Sequence, residues 1–110
     1  MKKVYNKLIR DKIPEIISAD NEIPQIRKLQ QSEFRKELKK KVSEEAQELV
    51  HATRKTDILN EIVDIQELLD WLANEFKITK SEIKKYQNEK NKKRGSFKKK
   101  LFLIETTTNK

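Results

Sequence analysis

The sequence predicts an all-α fold, a bundle of about four helices with a possible short C-terminal strand. Three observations carry that expectation. One Gly and two Pro in 110 residues leave little turn punctuation. Apolar residues between Phe34 and Phe76 recur at helical spacing. Thr79-Lys80-Ser81-Glu82 has the form of a capping box, in which a threonine hydroxyl and a glutamate satisfy each other's free backbone N–H groups. The length suits one domain, residues 1–110, with one modest core.

Along the chain, residues 4–9 are expected to be extended. A short helix from Asp11 to Ala19 tolerates Pro14 in its first turn. Asp20-Asn21 closes it, and Glu22 to Gln31 forms a connector around Pro24. Ser32 is the expected N-cap of a long helix reaching Arg54. Lys55-Thr56 makes a turn, a third helix covers Asp57 to Phe76, and a fourth runs from the capping box to Lys93. Gly95 stops it. Leu101 to Ile104 is the candidate strand, and Thr106 to Lys110 is expected to fray.

Composition narrows the functional classes. There is no cysteine and a single His51, so disulfide frameworks and thiolate or histidine metal sites are excluded. Any metal must be held by carboxylates. No apolar run has the length of a membrane span, and the N-terminus lacks a signal-peptide stretch, so a cytoplasmic protein is expected. The net charge of +8 favours polyanionic partners, nucleotides or nucleic acid, although a lysine-rich soluble protein would show the same excess.

The informative chemistry lies in the middle. Glu45, Glu48, Glu61 and Asp64 follow the pattern Glu-x-x-Glu, twelve residues, Glu-x-x-Asp. On a helix, residues three apart share a face, so two adjacent helices would aim four carboxylates at one point. Such an oxygen cage suits Mg²⁺, or Mn²⁺, which in turn binds phosphate. On the second helix, Glu45 interrupts the stripe Phe34, Leu38, Val42, Leu49 and Ala52. On the third, Glu61 interrupts Ile58, Ile62, Ile65, Leu68, Leu69, Leu72 and Phe76. An acid in an apolar stripe is costly unless paired or metal-bound. Ion pairs of Glu45 and Glu61 with Lys41 or Arg35 are the competing explanation. Glu44 and Glu67 read as solvated or supporting groups, Trp71 and Tyr86 as core or subunit contacts, and His51 as exposed.

Two further segments add a resemblance. Tyr5-Asn6-Lys7-Leu8-Ile9-Arg10-Asp11-Lys12-Ile13-Pro14-Glu15-Ile16-Ile17 resembles the opening of the phosphoribosyl-ATP pyrophosphohydrolase-like branch of the MazG-type all-α nucleotide pyrophosphohydrolases. Lys41-x-x-Glu44-Glu45-x-x-Glu48-Leu49 followed by Glu61-Ile62-Val63-Asp64 is similar to that family's metal-binding core. Lys93-Arg94-Gly95-Ser96-Phe97 is similar to its Arg-Gly-Gly-Phe segment, with Ser96 in place of the second glycine. The resemblance implies a MazG-like helical domain, a homo-oligomer (dimer or tetramer), and Mg²⁺-dependent cleavage of a nucleoside triphosphate between the α and β phosphates. By position it implies Glu45, Glu48, Glu61 and Asp64 as metal ligands and Lys41 near the phosphates. Lys7, Arg10 and Arg94 are further candidates for the polyphosphate. Glu44 or Glu48 is the candidate base for the attacking water. Nucleotide-pool housekeeping is the leading expectation, phosphoribosyl-ATP hydrolysis in histidine biosynthesis an alternative. A non-enzymatic nucleic-acid-binding role, resting on the basic run Lys84 to Lys100 with Tyr86, Phe97 and Phe102 interleaved, is the competing class.

Overall fold

A computed structural model describes residues 1–108. It contains four helices, α1 (Ile13–Ala19), α2 (Gln31–His51), α3 (Lys55–Glu75) and α4 (Lys80–Arg94), and no strand among the described residues. The all-α expectation holds. The expected strand at Leu101 to Ile104 is not formed: these residues carry no regular structure and are largely exposed. Thr106 to Thr108 are likewise irregular, and Asn109 and Lys110 lie outside the described residues. The chain divides into two compact units, Met1–Lys77 and Ile78–Lys110. No helix among the described residues is long and apolar enough to cross a membrane.

The first unit is built on a hairpin of α2 and α3. Only Ala52, Thr53 and Arg54 separate them, and a connection this short makes the helices antiparallel neighbours. The open end of the hairpin is pinned between its helices, and the closed end is set by the termination of α2. At the open end, Arg35 donates to the Glu75 carbonyl at 2.8 Å and to its carboxylate at 3.3 Å. Its guanidinium also lies 4.4 Å from the Phe76 ring centre, a cation–π contact. At the closed end, the Ala52 N–H donates to the carbonyls of Glu48 and Leu49, ending α2 at His51, short of the expected Arg54. Because the turn comes earlier, α3 begins at Lys55 instead of Asp57. Ser32 is not the N-cap: extended Gln30 precedes the first turn, without a side-chain cap, and Ser32 lies inside the helix. Asp11 and Lys12 form a turn before α1, where Pro14 occupies the first helical turn.

The apolar stripes meet across the hairpin. Leu38, 2% exposed, is its buried residue, and Phe34, Val42, Leu49, Ile58, Ile65, Leu68 and Leu72 are half-buried along its length. Ile62, Leu69 and Phe76, expected on the same inward face, are instead 51%, 44% and 45% exposed. The α3 stripe is wider than one neighbouring helix can cover. Leu38→Ala is expected to destabilise the unit by about 2 kcal/mol, the low end for a buried leucine because its half-exposed neighbours can close in. A urea titration followed by circular dichroism measures it, and an unchanged midpoint would show that the hairpin core lies elsewhere.

In the second unit the capping box forms as read. Thr79 Oγ1 accepts from the Glu82 N–H at 3.1 Å, and Glu82 accepts in return from the Thr79 N–H at 3.5 Å. Gly95, with φ +80°, takes the left-handed conformation that ends α4 without a Cβ penalty.

Candidate metal centre

Helical geometry brings three of the four predicted carboxylates together. Glu45 projects from α2 toward α3, and Glu61 and Asp64, one turn apart, project back from α3. One oxygen from each of Glu45, Glu61 and Asp64 falls within 4.8 Å of the others. All three residues are half-buried. Glu45 Oε2 and Glu61 Oε2 are shielded from solvent and have no hydrogen-bond partner. Two carboxylate oxygens withdrawn from water with no donor in reach form an unstable arrangement unless a proton or a cation joins them.

Electrostatics give the same picture. The Glu45 carboxyl is pushed up from 4.5 to about 7, first by burial and then by the neighbouring Glu61 and Glu48 carboxylates. Glu48 therefore acts on the cluster through its charge, but it is itself exposed and is not among the three converging residues.

The ion pairs that competed with a metal are placed elsewhere. Arg35 is engaged with Glu75, and Lys41 faces Glu44 at 4.0 Å. Among the described residues no Lys or Arg lies within ion-pair distance of Glu45 or Glu61. Asp64 does have a partner: Arg10 donates to its Oδ1 at 2.8 Å. Arg10, read from sequence as a contact to polyphosphate, is thus attached to the carboxylate cluster itself. Both side chains of that pair are about half exposed, so the bond contributes little to stability, about 0–1 kcal/mol. A weak tie of this kind can exchange partners readily.

The other predicted groups fall into two places. Lys7, Lys41 and Glu44 line one narrow crevice together with Asn6, Glu37 and Lys40. Lys7 also lies 5.1 Å from the Tyr5 ring centre. Arg94 closes α4 in the second unit and is exposed. An open cleft of about 460 Å³ lies at the closed end of the hairpin, lined by Gln47, Glu48, His51, Asp57, Asn60 and Glu61 among others. Sequence reasoning assigned His51 no role and did not consider Gln47, Asn60 or Asp57 for a site. Their spacing held a signal: His51 follows Glu48 by three residues and Asp57 precedes Glu61 by four, so both share a helix face with a predicted ligand.

Comparison with protein-family models, curated proteins and solved structures finds no match.

Proposed function

We propose that this chain is a Mg²⁺-dependent nucleoside triphosphate pyrophosphohydrolase, cleaving between the α and β phosphates. One observation carries the reading: oxygens of Glu45, Glu61 and Asp64 converge from two helices, and two of the carboxylates hold a buried oxygen without a donor. An all-oxygen, all-anionic donor set fits a hard divalent cation such as Mg²⁺ or Mn²⁺, with Glu48 adjacent as a further carboxylate. When bound, such an ion would supply Lewis-acid polarisation of phosphate and a more acidic water.

The chain's own residues have complementary tasks. Lys7 and Lys41 line one crevice and would neutralise phosphate charge, with the Glu44 carboxylate 4.0 Å from Lys41. Glu48, exposed at the edge of the cleft, is a carboxylate that can accept the proton of an attacking water; Glu44 is the alternative base. Gln47 and Asn60 place amides in the cleft beside Glu48 and Glu61, where donors and acceptors would meet a base or sugar. With no cysteine in the chain, direct attack by water is preferred to a covalent intermediate. Nucleotide-pool housekeeping in the cytoplasm is the setting that fits, with phosphoribosyl-ATP as an alternative substrate.

The test is pyrophosphate release across canonical, deoxy and modified nucleoside triphosphates and phosphoribosyl-ATP, with and without Mg²⁺. Release from at least one substrate that stops on chelation is expected; no release from any would overturn the reading. Arg10 permits a sharper test. Arg10→Ala is expected to tighten Mn²⁺ binding severalfold, because the guanidinium no longer competes for Asp64. The same change slows turnover if the freed guanidinium serves the phosphates. Unchanged Mn²⁺ affinity by isothermal titration would separate Asp64 from the ion.

A second reading, nucleic-acid binding, draws on the charge division. Residues 78–110 hold 11 Lys and Arg against 3 Glu, a net of +8, whereas residues 1–77 hold 15 against 15. Exposed Tyr86, Phe97 and Phe102 accompany that charge. Absence of RNA or DNA retention on filters at low salt would dismiss it.

A further inference from the structure

Helix α4 buries none of its 15 residues, and only Ile83 and Tyr86 among them are apolar. A helix that is polar all round gains no stability by covering an apolar stripe, and a lone helix of this length is marginal in water. Its charge adds to the difficulty. Lys80, Lys84, Lys85, Lys90, Lys92, Lys93 and Arg94 outnumber Glu82 and Glu89. Among the described residues none of these bases lies within ion-pair distance of an acid. The partner that would steady such a helix brings negative charge and asks for no apolar contact. A hydrophobic protein groove or a bilayer does not meet that description, and a phosphate polymer does.

The donors of α4 are ordered along it. At 100° per residue, Lys80, Lys84, Gln87, Asn91 and Arg94 fall within about 40° of one line, at steps of four, three, four and three residues. Glu82 and Glu89 fall about 160° or more from that line, on the opposite side. The row is about 21 Å long, and each of its side chains ends in N–H donors. Lysines and arginine stand at its ends, and the uncharged amides of Gln87 and Asn91 at its centre. The capping box at Thr79 and the stop at Gly95 fix both limits of the row.

We infer that α4 lies in the major groove of duplex DNA, with Lys80, Lys84 and Arg94 on phosphate oxygens and the Gln87 and Asn91 amides toward the groove floor. That groove is about 12 Å wide, the width of a helix with its side chains, whereas the major groove of duplex RNA is too narrow. Charged ends and an amide centre match a groove whose rims are anionic and whose floor presents base-edge donors and acceptors. Single strands are held by stacking on aromatic rings, and Tyr86 falls about 120° from the row, so the donor face and the aromatic ring are separate. The inference rests on the nucleic-acid reading of the basic unit and not on nucleotide hydrolysis at the carboxylate cluster.

Fluorescence anisotropy of a short labelled DNA duplex, titrated with the full chain, is the test. Binding is expected at 50 mM salt and is expected to weaken about 40-fold at 200 mM, the dependence for three neutralised phosphates. The matching single strand and a duplex RNA of the same sequence are expected to bind about tenfold more weakly or worse. Two variants of equal net charge separate the row from charge in general. Lys80→Gln with Lys84→Gln and Arg94→Gln is expected to lower affinity for the duplex about tenfold or more and to flatten the salt dependence. Lys85→Gln with Lys92→Gln and Lys93→Gln, each about 120° or more from the row, is expected to change it severalfold less. Glutamine has nearly the helix propensity of lysine and arginine, and circular dichroism checks that α4 persists. Should the first variant lose helicity, Gln87→Glu decides: it sets an acid in the middle of the row and is expected to abolish duplex binding, while Ser81→Glu, about 100° away, leaves it nearly unchanged. Tighter binding of the single strand or of duplex RNA, or equal losses from the two triple variants, would overturn docking in the groove while leaving nucleic-acid binding in place. No binding to any of the three at 50 mM salt would overturn both.

Discussion

Glu61→Gln or Asp64→Asn is expected to lower Mg²⁺-dependent pyrophosphate release by about 10³-fold, matching the several kcal/mol that a bound ion contributes to charge stabilisation in a transition state. Both changes keep size and shape and remove only the negative charge. Glu61 Oε2 is buried without a partner, so Glu61→Gln removes no favourable bond seen in the fold and relieves repulsion from Glu45. Its melting temperature is therefore expected to hold or rise while activity collapses. That combination distinguishes a ligand from a structural acid, whose neutralisation would lower both. Asp64→Asn also loses the charge that holds Arg10, a pair exposed enough to matter little for folding. Full activity in either variant would remove its residue from the site, and retained helicity by circular dichroism guards against misreading an unfolded sample.

The helical architecture was legible because it depends on local chemistry. The capping box at Thr79, the stop at Gly95 and the long amphipathic runs are each encoded within a few residues. Helix limits at the hairpin turn were read less well. His51 and Lys55 became the true ends because backbone bonds at Ala52 close α2 a turn early, and no side chain signals that. The Leu101 to Ile104 segment has the composition of a strand, but a strand exists only with a partner, and the isolated chain offers none among the described residues.

The candidate site was legible in part for the same reason. Three-residue spacing on one helix placed Glu61 beside Asp64, and the interruption of two apolar stripes marked Glu45 and Glu61. Two things lay beyond one-dimensional reading. Whether Glu48 joins the other three depends on the rotation of α2 against α3, a property of packing. The position of Arg10 on Asp64 depends on the path of a non-helical segment 54 residues earlier in the chain. Likewise, the sequence counted Ile62 and Leu69 with the inward stripe because periodicity reports an apolar face without saying how many neighbours share it.

Stability without metal is expected to fall as pH rises from about 5 to about 8, and Glu45→Gln should abolish that fall. The Glu45 carboxyl, ordinarily near 4.5, is raised to about 7 in the folded chain. Below 4.5 it is protonated in both states. Between 4.5 and 7 the folded chain keeps a proton that the unfolded chain has released, so raising the pH favours unfolding. Above 7 both are ionised, and the fold then carries a charge beside Glu61 and Glu48 in a site shielded from water. The rise from 4.5 to about 7 sets an upper bound of about 3 kcal/mol on the loss, less whatever solvent screening and relaxation recover. The difference in melting temperature between parent and Glu45→Gln isolates this group from every other titration. It is expected to be near zero at pH 5 and to favour the variant at pH 8. Adding Mg²⁺ at pH 8 should raise the parent chain toward the variant and leave the variant little changed, because a cation can stabilise only the ionised cluster. A parent that instead grows more stable with pH relative to Glu45→Gln would mean that Glu45 is held by a positive side chain, and the vacant charge balance on which the metal assignment depends would be filled from within the protein.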